Sequence, residues 1–434
     1  MSNAKRASGP IVEPVVHHAA EAVASPRASR RGLLKGSGAG AALALLGGAV
    51  GAPRVAGAQA PTVKIGSIGP LTGALAYNGN QAKAGIQYAV DDINAKGGIK
   101  SLGGAKLEVI YTDAESRPDV AAAQVDKLAE AGVSCLVGCQ ASSLTLATTQ
   151  AAARYKLPQV IDVGTAEQIV ERGLPNVFRF SPGVVRSVEQ GIVNLDTINK
   201  NSGKKVKTVA VVHEEGPFGS GMAKILKEKL PGIGLEVIET ISHPTPQRDF
   251  NNIVLRLKAV KPDLVMPSHY INEFILFART MRQQRFSPKA MYSIYGGGAS
   301  NIRFVREHNE AAQYIIDTNH WYDPRRELSK SVAKRAADAK LDLTYDIMVA
   351  YGATQLIGDA LERAKSSDRE RLIETLATET FNETIMPYGP IKFVKGDNTG
   401  SRLVNTQIRG DKIEVIFPKE FATIEPVFPM PGRI

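Results

Sequence analysis

The sequence predicts an α/β protein with two lobes, each built on a doubly wound parallel sheet. Short apolar segments that read as strands alternate with longer amphipathic segments, and this order places helices on both faces of parallel sheets. The alternation falls into two series of similar size. Residues 59–434 also exceed the length that one hydrophobic core usually serves, so we expect more than one domain.

The first series starts with the strand-like segment VKIGSIG at residues 63–69, and a helix near Gln81–Lys96 follows it. The segment KLEVIYTD is the next strand. Pro118 suits the first turn of a helix, which we expect to end near Glu130. CLVG, a helix over Thr145–Tyr155 and PQVID continue the alternation.

The second series follows VFRFSP, with helices over Val184–Asn199 and Gly219–Lys229 and strands in VKTVAVVH, LEVIETI and Asp263–Ser268. A last group contains the strand QYIID, three helices, and short strands in PIKFV, SRLVNTQI and KIEVIF.

The N-terminal segment SRRGLLKGSGAGAALALLGGAVGAPRVAGAQA is too weakly apolar to span a bilayer, which needs about 20 apolar residues. Its GSGAGA run follows no strand, so a dinucleotide site is not indicated. Arg30 and Arg31, a weak apolar core and a small-residue end are typical of an export signal, and SRRGLLK resembles the twin-arginine (Tat) signal. We expect residues 1–58 to be a Tat signal peptide that is removed on export to the periplasm, leaving Gln59 first.

Composition excludes several classes of function. The whole chain has a formal net charge of +10, but residues 1–58 hold seven Lys or Arg and two Asp or Glu, so the remainder carries +5. No block of five like charges remains there, which argues against nucleic-acid binding. The chain lacks G-x-S-x-G, Walker A, H-E-x-x-H and C-x-x-C motifs, and its histidines never pair at metal-ligand spacing. We expect neither an enzyme nor a cofactor or metal.

The two cysteines, Cys135 and Cys139, lie in GVSCLVGCQ. Four residues of strand span about 13 Å, whereas the Cα atoms of a disulfide lie roughly 4.4–6.8 Å apart. Two buried thiols or a strained bridge both remain open.

Loops at the predicted strand ends carry a resemblance that spans essentially all of residues 59–434. The segments VKIGSIGPLTGALAYNGNQAKAGIQYAVDDINAKGGI, GCQASSLTLATTQAAARYKLPQVIDVGT and VAVVHEEGPFGSGMAK resemble the leucine/isoleucine/valine-binding proteins. That family comprises exported solute receptors of ABC transporters with the type I periplasmic-binding fold. The resemblance implies two lobes that are joined by a three-strand hinge and close over a ligand. Lobe 1 would comprise residues 59–183 and 316–400, and lobe 2 residues 184–315 and 401–434.

The resemblance also implies site residues. The family's serine for the ligand carboxylate corresponds to Ser142, and its next loop corresponds to Val163, Gly164 and Thr165. Ser142 and Ser143 also fit the N-cap of the following helix, and the two roles are compatible. The full set that we expect at the ligand is Tyr77, Asn78, Ser142, Ser143, Val163, Gly164, Thr165, Phe218, Tyr270, Tyr295 and Trp321.

Lobe 2 departs from the family pattern at two positions. Phe218 stands where a tyrosine is expected, and Tyr295 stands where an acidic residue pairs with the ammonium of an amino acid. A buried ammonium without a carboxylate costs several kcal/mol. A substitute carboxylate would have to come from Glu214, Glu215 or Glu273.

The resemblance predicts a monomeric solute-binding protein that delivers a hydrophobic amino acid or a related small carboxylate to an ABC permease in the inner membrane. These residues favour a hydrophobic or aromatic carboxylate over a free branched-chain amino acid. A sensory or regulatory receptor domain of the same fold is the alternative, and it would require a membrane or signalling partner.

Overall fold

A computed structural model of the protein describes residues 61–432, so the predicted signal with Arg30 and Arg31 lies outside the described residues. The strands are β1 (Thr62–Gly69), β2 (Lys106–Asp113), β3 (Leu136–Gly138), β4 (Gln159–Ile161), β5 (Val177–Arg179), β6 (Thr208–Glu214), β7 (Glu236–His243), β8 (Leu264–Ser268), β9 (Ala290–Ile294), β10 (Ile316–Asn319), β11 (Thr380–Phe381), β12 (Ile391–Val394), β13 (Asp397–Asn398), β14 (Val404–Arg409) and β15 (Lys412–Phe417). The helices are α1 (Ala76–Ala95), α2 (Pro118–Glu130), α3 (Ser142–Ala153), α4 (Gln168–Glu171), α5 (Val184–Asn201), α6 (Pro217–Lys229), α7 (Asn251–Val260), α8 (Ile271–Gln283), α9 (Ile302–Glu307), α10 (Asn309–Ala312), α11 (Glu327–Asp338), α12 (Tyr345–Ala364) and α13 (Arg369–Thr378).

The strands form two sheets. The first has the order β11-β12-β13-β5-β4-β3-β1-β2 and the second has the order β15-β14-β10-β9-β8-β6-β7. Pairing is parallel among β1 to β5 and among β6 to β10, and antiparallel pairs occur only towards one edge of each sheet. The predicted α/β class with two doubly wound, largely parallel sheets is confirmed.

The chain passes between the two sheets three times, after β5, after β10 and after β13. Strand β10 pairs with β9 and β14, so it belongs to the second sheet. The expected boundary at residue 316, which assigned this strand to lobe 1, is therefore wrong by one strand. The chain crosses to the first lobe only after Asn319, at the end of this strand. The apolar pattern of the sequence changes little there, so the pattern does not mark the crossing. Below, the first and second lobes are the two sheets with the helices that pack on them.

Close helix packing holds the first lobe together. Helix α12 is buried on most of its surface, and α1 crosses it at Gly85. A Cβ atom at Gly85 would lie 2.1 Å from the carbonyl oxygen of Ile347, so only glycine permits this approach. The packing fixes the N-terminal ends of both helices beside the carboxyl end of the first sheet.

Cys135 and Cys139 are buried free thiols. Of the two possibilities that their spacing left open, buried thiols and a strained bridge, the structure shows the first. Burial raises the pKa of each thiol to about 12, so both are protonated at neutral pH. Within residues 61–432 we find no helix that is both long and apolar enough to cross a membrane.

Candidate functional site

A cavity lies between the two sheets, at the carboxyl ends of their parallel strands. It contains about 430 Å³ of space not occupied by protein atoms, open solvent included. Its walls come from the loops and first helical turns after β1, β3 and β4 of the first sheet and after β6, β8 and β9 of the second, together with Tyr345 at the start of α12. This is the place where open α/β sheets bind ligands. The lining residues are Asn78, Gln140, Ser142, Val163, Thr165, Phe218, His269, Tyr270, Ile271, Tyr295, Gly297 and Tyr345.

Seven of the residues expected from the sequence line this cavity: Asn78, Ser142, Val163, Thr165, Phe218, Tyr270 and Tyr295. Among the described residues, the lining does not include Tyr77, Ser143, Gly164 or Trp321. Gly164 packs against α3, where a Cβ atom would lie 2.7 Å from the Thr145 hydroxyl. Trp321 stacks on Tyr322 in the crossing after β10 and lines two other cavities. Its position in the crossing puts it outside the cavity between the sheets.

Ser142 joins the two first-lobe loops. Its hydroxyl oxygen accepts hydrogen bonds from the backbone N–H groups of Thr165 and Ala166, each at 3.1 Å. The preceding residue, Ala141, is the N-cap of α3, so Ser142 does not act as a side-chain cap. Its oxygen is occupied by the neighbouring loop, while the hydroxyl hydrogen remains for donation.

Arg179 also holds the loop that contains Thr165 in place. Its side chain is 1% exposed and donates to the carbonyl oxygens of Thr165 and Ala166, at 3.1 and 3.2 Å. The same guanidinium pairs with Glu167 and with Asp397, at 3.0 and 2.9 Å. Arg179 thus ties the Thr165 loop to the strand before the third crossing. The sequence analysis missed it, because an arginine at the end of a short strand carries no motif.

Aromatic side chains form the second-lobe wall. The Phe218 and Tyr270 rings lie with their centroids 5.8 Å apart. Tyr295 donates its hydroxyl to the carbonyl oxygen of Pro182 at 2.8 Å, and its oxygen lies 2.8 Å from Ser187 Oγ. The Tyr295 hydroxyl is therefore hydrogen-bonded to residues at the first crossing, and its ring faces the cavity.

None of the three glutamates considered as ammonium partners is among the cavity-lining residues. Glu214 accepts hydrogen bonds from the N–H groups of Gly216 and Gly219, at 2.5 and 2.6 Å, where α6 begins. Glu215 is exposed. Glu273 is buried, with Oε1 lying 3.4 Å from the backbone nitrogen of Gln247, and burial raises the pKa of its carboxyl.

A buried carboxylate lies behind the first-lobe wall. Asp346 accepts hydrogen bonds from the side-chain amides of Gln140, at 2.7 Å, and Asn78, at 3.1 Å. Burial is the main cause that raises the pKa of Asp346 to about 7, and the charge of Asp162 raises it further. Asp162 itself accepts from the backbone N–H groups of Gln140 and Val163.

His269 is the one histidine in the lining. It is 1% exposed, and burial lowers its pKa well below the usual value, so the imidazole is neutral. The other lining side chains are neutral amides, hydroxyls, aromatic rings and aliphatic groups. Within the described residues no group of three or more His, Cys, Asp or Glu is placed to hold a metal ion.

Tyr77 contributes to a set of contacts between the lobes. Its hydroxyl lies 3.3 Å from both Asn301 Oδ1 and Asp342 Oδ2, and the guanidinium of Arg303 lies over its ring. Arg306 forms a two-pronged ion pair with Asp342, in which Nη2 and Oδ2 are 3.1 Å apart. We call Tyr77, Asn301, Arg303, Arg306 and Asp342 the interlobe latch, because 301–306 lie in the second lobe and the other two in the first.

Five lining residues were absent from the expected set: Gln140, His269, Ile271, Gly297 and Tyr345. Gln140 follows the predicted strand CLVG, and His269 follows the predicted strand Asp263–Ser268. Their position after a strand was therefore a usable signal. Tyr345 opens a long helix far along the chain, and nothing local distinguishes it.

Comparison with known proteins gives the family. The family model described as periplasmic binding protein matches residues 62–407. The Leu/Ile/Val-binding protein BraC3 of Rhizobium johnstonii is 30% identical over 314 residues, which cover 72% of this chain and 82% of BraC3.

Two solved structures share the fold. The branched-chain amino acid binding protein LivJ of Streptococcus pneumoniae, in complex with isoleucine, has a TM-score of 0.71 at 21% identity and covers 82% of this chain and 100% of LivJ. A solute-binding protein of Rhodopseudomonas palustris, in complex with 3,4-dihydroxybenzoic acid, has a TM-score of 0.71 at 20% identity and covers 85% of this chain and 98% of that protein.

The expected type I fold is confirmed, and the matched relatives are periplasmic solute-binding proteins rather than enzymes. The chain belongs to the periplasmic binding protein family.

Proposed function

We propose that this protein captures a small hydrophobic or aromatic carboxylate between its lobes and delivers it to an ABC permease in the inner membrane. The named relative binds leucine, isoleucine and valine, and a structural neighbour holds an aromatic acid. A carboxylate and an apolar part are common to those ligands. The cavity offers groups for both.

The first-lobe wall suits the carboxylate. Helix α3 begins at Ser142, and the first N–H groups of a helix have no acceptor within it. The helix dipole favours negative charge at this end. The Ser142 hydroxyl hydrogen and the Thr165 hydroxyl add donors at the same wall. No cationic side chain is needed when several neutral donors converge.

The second-lobe wall suits the apolar part. Phe218, Tyr270 and Ile271 present rings and an aliphatic chain, and the Tyr295 ring continues this surface. Closing the lobes over a ligand removes this surface from water, which stabilises the closed state by about 25 cal/mol per Å² buried. A ligand therefore favours closure by its higher affinity for the closed state.

The observation that carries the ligand preference is the absence of Asp and Glu from the cavity lining within residues 61–432. Glu214 is occupied by two backbone N–H groups, and Glu215 is exposed. An α-ammonium would enter this cavity without an ionised partner, at a cost of several kcal/mol. A carboxylate that lacks the ammonium avoids this cost.

Calorimetry with leucine and its deaminated analogue 4-methyl-2-oxopentanoate, together with benzoate, tests the proposal. We expect the two acids without an ammonium to bind more tightly than leucine. Tight leucine binding that is lost in Glu273→Gln, or failure of every carboxylate to bind, would contradict it. Replacement of the exposed Glu215 by Gln is the matched control.

We also propose that export uses the Tat route, since SRRGLLK precedes a weakly apolar stretch. The double variant Arg30→Lys, Arg31→Lys should remain in the cytoplasm while the wild type reaches the periplasm. N-terminal sequencing of exported protein should start at Gln59, because a cut two residues later would place proline first. Normal export of the double variant would exclude this route.

A further inference from the structure

Two amide side chains in the cavity wall have a fixed orientation. The nitrogen atoms of Asn78 and Gln140 both donate to the carboxylate of Asp346. Asp346 accepts one of these hydrogen bonds at each of its two oxygens, so each amide turns its NH2 group towards the carboxyl. The amide oxygens therefore point away from Asp346.

Both oxygens are left without a donor. Asn78 is 4% exposed and Gln140 is 5% exposed, and neither Asn78 Oδ1 nor Gln140 Oε1 has a hydrogen-bond partner among the described residues. Buried carbonyl oxygens are nearly always paired, and an unpaired one loses the hydrogen bonds that water gave it. Both side chains line the cavity, so a ligand there is placed to supply the missing donor.

We propose that these two amide oxygens recognise a hydroxyl group of the ligand, so that the preferred ligand is a hydroxy-substituted carboxylate such as a phenolic acid. The inference rests on the proposed function, because it assigns a second polar group to the same ligand. Asp346 acts as a positioning residue: it accepts from both amide nitrogens and so sets the orientation of the two amide oxygens.

A hydroxyl fits this pair better than an ammonium. A hydroxyl carries one donor hydrogen, which one neutral amide oxygen accepts or both share. An ammonium carries three donors and a full charge, while both oxygens of Asp346, the carboxyl behind this wall, are already occupied by the amides. Sites that hydrogen-bond a hydroxyl also reject analogues without it, since their own polar groups then remain unpaired.

Matched ligands test the proposal by calorimetry. The pairs are 4-hydroxybenzoate with 4-methylbenzoate and 3-hydroxybenzoate with 3-methylbenzoate, with benzoate as the unsubstituted reference. We expect at least one hydroxylated acid to bind about tenfold or more tightly than its methyl counterpart. Equal affinities in both pairs would overturn the inference.

Two variants identify the acceptors. Gln140→Met and Asn78→Leu keep the approximate volume and remove the amide, so the preference for hydroxyl over methyl should fall severalfold in each. Benzoate binding reports that the site is still formed. Gln150→Met, on the exposed face of α3, is the matched control and should keep the full preference. An unchanged preference in both cavity variants would also overturn the inference.

The outcomes separate this inference from the proposed function. If benzoate binds and hydroxylation adds nothing, the proposed function stands and the inference fails. If only amino acids bind, the proposed function fails, and threonine against valine, which differ by a hydroxyl and a methyl group, tests the hydroxyl preference. Equal affinity for that pair would then reject it.

Discussion

Ser142 has a structural task beside its proposed contact with the ligand. Its hydroxyl oxygen is the acceptor for two backbone N–H groups of the Thr165 loop. The side chain is 2% exposed, so water cannot replace that acceptor without rearrangement. The loop that presents Thr165 therefore depends on Ser142 in the unliganded protein as well.

Replacing Ser142 by Ala should lower the free energy of unfolding of the unliganded protein by about 1–3 kcal/mol, because two buried N–H groups lose their acceptor. Urea denaturation measures this. The adjacent Ser143→Ala is the control, with an expected change within about 0.5 kcal/mol. Thr165→Val keeps the loop backbone and removes only the hydroxyl, so it should weaken ligand binding with little loss of stability. A Ser142→Ala protein as stable as the wild type would contradict the assigned task.

Asp346 makes stability depend on pH. Its pKa is raised to about 7, mainly by burial and further by the charge of Asp162, while the neighbouring Tyr77 and Tyr345 stay neutral because their own pKa values are raised. Between about pH 4 and pH 7 the folded protein keeps a proton on this carboxyl that the unfolded chain releases. Its contribution to the free energy of unfolding therefore falls as pH rises through that range.

The variant Asp346→Asn removes this titration. Measured by urea denaturation across pH 4–8, the stability of the wild type relative to the variant should fall with rising pH, by up to the order of 4 kcal/mol, and level off above about pH 7. Subtracting the free energy of unfolding of the variant from that of the wild type removes the pH dependence contributed by the other carboxyl groups. A difference that is the same at all pH values would show that Asp346 is ionised throughout.

For individual residues, the sequence predicted where a side chain lies better than it predicted which contacts that side chain makes. Ser142, Thr165 and Phe218 follow strands, and a residue after a parallel strand lies at the ligand edge of the sheet. Which side chain faces the cavity depends on packing between loops that are distant in sequence. Gln140 and Asp346 are 206 residues apart, so no local pattern could indicate their hydrogen bond.

At the scale of elements, the interlobe latch couples loops and helices of the two lobes. The loop between α11 and α12 supplies Asp342, α9 supplies Arg306, and α1 supplies Tyr77 between them. Arg303 covers the Tyr77 ring with its guanidinium 5.2 Å from the centroid. None of these groups lines the cavity within the described residues, so we expect the latch to act on closure and not on the ligand directly.

Arg306→Gln should weaken the binding of every ligand by about two- to fivefold, because a largely exposed ion pair contributes at most about 1 kcal/mol to the closed state. The ratio of affinities between ligands should not change. Calorimetry with two ligands measures both quantities. Lys334→Gln removes the exposed pair with Asp338 inside the first lobe and serves as the control. A changed ratio between ligands would show that the latch belongs to the binding site.

The elements themselves were largely predictable, and for a physical reason. Buried parallel strands need continuous apolar runs, and the helices that cover them need one apolar face, so both leave patterns in the sequence. The assignment of β10 was not predictable in this way. Strand Ile316–Asn319 has the sequence IDTN, in which only Ile316 is apolar, so no apolar run assigns it to either sheet, and only its pairing with β9 and β14 decides.

In the molecule as a whole, two lobes joined by three crossings have between them a cavity with a donor-rich wall and an aromatic wall. Ser142 and Thr165 lie on one side and Phe218 and Tyr270 on the other, so a ligand that touches both walls must bridge the lobes. We expect the three crossings to act as the hinge for closure of the lobes. Binding and closure are therefore one event in this account.

The crystal structure of a complex with the tightest-binding acid from the calorimetric series tests this account most directly. It should show the ligand carboxylate against the start of α3, within hydrogen-bond distance of the Ser142 and Thr165 side chains, with the apolar part on Phe218 and Tyr270. A ligand bound outside this cavity, or one whose carboxylate lies away from Ser142 and Thr165, would contradict the account.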